Sequence, residues 1–198
     1  MRVKSQWFKA GKEKSPEEIA GAMAFIAWRV AQNALKNTRR AHFDVAVGPQ
    51  YFDFLCEFLI FLIQVADRIA FRQCNWNIRT AFTSALSHRI ADTLSENQSE
   101  LLGGDPSDIK MRFIARLKQC AEDYAGFEYD ADSLNFAFVR YLGHAMQQVM
   151  RGDDQQWIID QMMSIEAPEA IATLEKAMPG LLDDAPRPAR RGNPSGPE

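Results

Sequence analysis

The chain has 198 residues, 46% of them hydrophobic and 25% charged, with a formal net charge of -3. That balance belongs to ordinary globular proteins; it excludes a disordered polyelectrolyte and gives no general affinity for nucleic acid. At this length a chain buries roughly 70% of the surface its unfolded form exposes, so a core forms without disulfide or metal staples.

Residues 1–14 form a basic arm, with Arg2, Lys4, Lys9, Lys12 and Lys14 against the single acid Glu13, and with Trp7 and Phe8 between them. Basic residues interleaved with aromatics suit an acidic partner groove, phosphate or an anionic lipid surface. The bland alternative is a solvated arm whose aromatics pack back on the fold. The stretch has no apolar core of a secretory signal, which suits a cytoplasmic protein.

Ser15-Pro16-Glu17-Glu18 is a helix start, with a capping serine, a proline at the first helical position and a glutamate completing the capping box. The helix is predicted to run to about Arg40. Ile19, Met23, Ile26 and Val30 line one side and Phe25, Trp28 and Leu35 another, while alanines at 20, 24, 27, 31 and 34 permit close backbone approach.

After a loop, Pro49 opens the stretch on which the rest is expected to pack. In Tyr51 to Phe71 the polar residues Asp53, Glu57, Gln64, Asp67 and Arg68 share one narrow stripe and the remaining circumference is apolar. That predicts a central helix. Its longest uncharged run, Phe58 to Ala66, covers nine residues, where a membrane span needs about 20.

A third helix is expected over 78–102 with Phe82, Leu86, Ile90, Leu94 and Leu101 inward. Gly103-Gly104-Asp105-Pro106 stops it and starts a fourth, over 107–124, which carries Lys110, Arg112, Arg116 and Lys118. A fifth, over 133–150, again has two apolar sides, one with Leu134, Phe138 and Leu142 and the other with Phe136, Val139 and Met146. Asp132 is the expected cap. One or two short helices follow, the second after Ala167-Pro168 and ending at Met178-Pro179-Gly180. Residues 183–198 are proline- and arginine-rich with little to bury and are expected to be disordered. The predicted fold is therefore all-α: a basic arm (1–14), a helical bundle domain (15–182) of five long helices plus one or two short ones, and a tail.

The chemistry is sparse. Neither G-x-G-x-x-G, G-x-x-x-x-G-K nor G-x-S-x-G occurs, and the histidines are His42, His88 and His144 alone. Helical i,i+4 pairs give the sharpest metal candidates, Asp53 with Glu57 and His88 with Asp92, because such pairs point one way. A ferritin-like centre wants Glu-x-x-His from two helices, however, and none occurs. The thiols of Cys56, Cys74 and Cys120 are odd in number, lack C-x-x-C spacing and suit reduced cysteines. No cofactor and no catalytic residue is expected.

The surplus is aromatic. Three helices that are apolar on two sides exceed what one bundle interior usually needs, so either a partner covers them or the short C-terminal helices close over them. The expected function is a non-catalytic protein-protein interaction module, adaptor or chaperone-like, acting as a homodimer, with Trp7, Phe8, Phe54, Phe58, Phe61, Phe136 and Met146 as partner-binding candidates. The alternative is a small-molecule or metal-binding bundle, possibly an enzyme, that uses the acidic stripe. Contact with nucleic acid or an anionic membrane through the basic termini is the third reading.

Overall fold

In a computed structural model the chain is described over residues 14–127 and 136–182. Trp7, Phe8, Asp132 and the 183–198 tail lie outside them. The fold is all-α: α1 (Pro16–Arg40), α2 (Pro49–Gln73), α3 (Trp76–Leu102), α4 (Pro106–Ala125), α5 (Phe136–Val149), α6 (Asp154–Gln161), a π-turn (Met162–Glu166) and α7 (Ala167–Leu182). Among the described residues no helix is long and apolar enough to cross a membrane.

Local chemistry sets the helix starts. Ser15 Oγ accepts from the Glu18 amide and Glu18 Oε2 accepts from the Ser15 amide, the reciprocal pair expected from the sequence. Asn75 caps α3 by accepting from the Ile78 amide, and Asp105 caps α4 by accepting from the Ser107 amide. Gly48 precedes α2 with φ of 117°, a backbone conformation that a side chain would strain.

Short connections make α1, α2 and α3 alternate in direction, so α1 and α3 run the same way. The alanine face of α1, with Ala20, Ala24, Ala27, Ala31 and Ala34 all buried, lets α3 and α2 approach closely. Helix α2 is the centre. Fourteen of its residues are buried, and α1, α3, α5 and α7 all pack on it. Its rings chain into the core: Phe54 stacks on Phe58 at 5.9 Å, Phe61 meets Phe138 of α5 at 5.7 Å, and Phe138 meets Tyr124 of α4 at 4.6 Å.

This closure corrects one expectation. Phe54, Phe58, Phe61 and Met146, named as partner-binding candidates, are wholly buried within the protomer, with α5 and α7 packed on α2 as in the second of the two coverings the sequence left open. They have no surface to offer. Phe136 does stand exposed, with the Arg140 guanidinium 5.6 Å over its ring.

The C-terminal helices also differ from expectation. Instead of breaking before Pro168, the chain passes from α6 through the π-turn into α7, with the Ala167 amide donating to the Met162 carbonyl. In a regular helix the Pro168 ring would clash with the carbonyl four residues back, and the wider turn relieves it. Nor does Pro179 end α7. The helix continues to Leu182, held by burial of Met178 and Leu181 and by Lys14 Nζ on the Leu181 carbonyl.

Candidate functional sites

The acidic stripe of α2 is shared out among cations from neighbouring helices. Asp67 accepts from Arg79 Nε at 2.9 Å and Nη2 at 2.6 Å, and from Thr83 Oγ1 at 2.8 Å. Glu57 accepts from Arg116 Nε at 2.8 Å and Nη2 at 3.1 Å. Both are two-pronged guanidinium-carboxylate pairs, the strongest form of charged hydrogen bond. Arg68, on the same stripe, donates to the Tyr124 carbonyl at 2.8 Å and so ties α2 to the end of α4.

Asp53 is different: among the described residues no hydrogen bond or ion pair reaches it. It lines an open cleft of about 320 Å³ between the first turns of α2, the middle of α4 and the end of α5, together with Glu57, Cys56, Arg116, Gln148 and Arg151. Burial and the neighbouring Glu57 push the Asp53 carboxyl above its usual range, while Arg151 and Arg112 pull it back. Burial drives the Cys56 thiol up to about 12, so it stays protonated at neutral pH and is no nucleophile. Gln50 supports the floor: its Oε1 accepts from the Ala46 amide and its Nε2 donates to the Val149 carbonyl, fixing the entry of α2 to the end of α5.

The four metal candidates therefore divide. Asp53 and Glu57 share the cleft as their spacing predicts, but His88 is exposed on α3 and Asp92 pairs with Lys110 of α4. Among the described residues no three His, Cys, Asp or Glu side chains converge as metal ligands would. His144 accepts from Arg140 Nε at 3.1 Å on the polar ridge of α5. His42 sits just past the end of α1 with φ of 70°.

At the other end of α2, about 30 Å away along the helix axis, lies a feature that the periodicity did not reveal. Phe71 and Trp76 flank the short turn into α3, 62% and 70% exposed, with Ile78 beside them. The Arg79 guanidinium lies 4.8 Å from the Phe71 ring and 5.6 Å from the Trp76 ring while both its prongs hold Asp67. Two large exposed rings are thus fixed around one clamped cation. The sequence signal was a tryptophan directly after the capping asparagine of a two-residue turn, where nothing inside the fold needs it.

A third polar feature is internal. Glu166, at the end of the π-turn, is 2% exposed. Gln161 Nε2 donates to its Oε1 at 3.0 Å, and burial raises its carboxyl above the usual range.

No protein-family model, curated protein or solved structure matches the chain.

Proposed function

We propose that the protein is a non-catalytic helical interaction module that pairs with a second copy of itself through the Phe71-Trp76-Arg79 knot. The observation that carries this is the exposure of two large rings at one turn, both packed against a guanidinium that is itself paired with Asp67. Aromatic and arginine side chains dominate the energetics of protein interfaces. Rings already locked in place lose little further conformational freedom on association. A knot near a twofold axis would meet its own copy, as most soluble homodimers do.

The small-molecule or metal reading of the acidic stripe loses support at Asp67 and Glu57, whose oxygens already serve arginines, and keeps it at Asp53. For the knot, the test is hydrogen exchange over residues 71–79 at rising protein concentration. Slower exchange there, with the far end of α2 unchanged, supports pairing through the knot. Exchange independent of concentration overturns it.

A further inference from the structure

The Asp53 cleft carries a second inference, independent of the knot. Asp53 feels the positive charge of Arg151 and of Arg112, which lies one turn before Arg116 on α4, yet neither guanidinium comes within ion-pair distance of it. Arg116, the remaining guanidinium of the cleft, is occupied by Glu57. Asp53 and Arg151 thus line one open cleft with opposite charges, and among the described residues neither makes a hydrogen bond or an ion pair.

We propose that the cleft binds a small zwitterion the size of a free amino acid, its ammonium group on Asp53 and its carboxylate on Arg151. A purely cationic ligand would leave Arg151 repelling it, and a purely anionic one would meet Asp53 and Glu57. A molecule carrying both charges completes two ion pairs together, and the cleft volume of about 320 Å³ leaves room for a short side chain against Ala145 and Val149. Burial keeps the Cys56 side chain in the wall a neutral thiol, so it adds no charge to the cleft.

The probes are the common free L-amino acids, titrated singly into the full-length protein by calorimetry. For whichever binds, its methyl ester, which lacks the carboxylate, and its N-acetyl form, which lacks the ammonium, follow. Binding at one site per chain is expected, with each blocked form weaker by about tenfold or more, the loss of one charged hydrogen-bond partner. Asp53→Asn and Arg151→Gln should each weaken binding by a similar factor. Both positions are exposed, and an unchanged circular dichroism spectrum confirms that each variant is folded. The proposal is overturned if no amino acid binds, if the blocked forms bind as tightly as the free one, or if both variants bind as the parent does.

Discussion

Asp67 holds more than its position on a polar stripe suggests. Its carboxylate takes three donors from α3, two of them the prongs of the guanidinium on which Phe71 and Trp76 rest. Removing it in Asp67→Ala leaves Arg79 half-buried without a counter-charge, and the expected cost is about 1–3 kcal/mol in chemical denaturation. The same variant frees the knot, so its rings should lose their fixed orientation in the aromatic region of the circular dichroism spectrum. Glu166 presents the opposite case. Its folded-state carboxyl binds a proton more tightly than in the unfolded chain, so its stabilising share is complete below the ordinary carboxylate range. That share is lost as pH rises through the raised value. Glu166→Gln keeps the shape and removes the titration. The variant should equal the parent in stability at about pH 3 and exceed it at about pH 7, measured by urea unfolding at each pH. A parent that stays the more stable at neutral pH would show that the Gln161 donor outweighs the burial of the charge.

At the scale of elements, the caps and the helix periods were legible because they are local. Ser15 and Glu18 are three residues apart, and Asp105 stands directly before the proline that opens α4, whereas the Asn75 cap, which starts α3 two residues before the expected 78, went unread. What periodicity could not show is which apolar side of a helix is met by its own chain. Phe25 and Phe138 both sit on predicted apolar faces, yet one is exposed and the other buried, because the covering comes from helices distant in sequence. The π-turn was equally invisible. It places one extra residue in the turn before Pro168 and so sets the direction in which α7 presents Leu174 and Met178 to the core. Deleting the exposed Ser164 should turn α7 by about 100° relative to α6 and bring Pro168 against a regular helix. Loss of the cooperative thermal transition is expected, whereas Pro168→Ala should melt close to the parent. Leu174→Ala, which removes a fully buried side chain and leaves the turn intact, should cost about 2–5 kcal/mol.

At the scale of the molecule, the candidate sites were half legible. The Asp53-Glu57 pair does share a cleft, but its cationic side comes from Arg116 and Arg151, 59 and 94 residues beyond Glu57. No spacing rule connects them. The surplus of aromatic residues was real in the sequence, and the closed fold consumes most of it on α2. Among the described residues Phe25, Phe71, Trp76, Phe136 and Trp157 remain outside, and Phe71 and Trp76 are the pair that shares one turn, between α2 and α3. The central claim is that two copies meet there, and it is tested most directly by the absolute mass of the purified protein from light scattering across a dilution series. The account predicts twice the 22.4 kDa chain mass, falling to a single chain mass in Trp76→Ser with its circular dichroism unchanged. A parent protein that scatters as one 22.4 kDa chain at every concentration would contradict it.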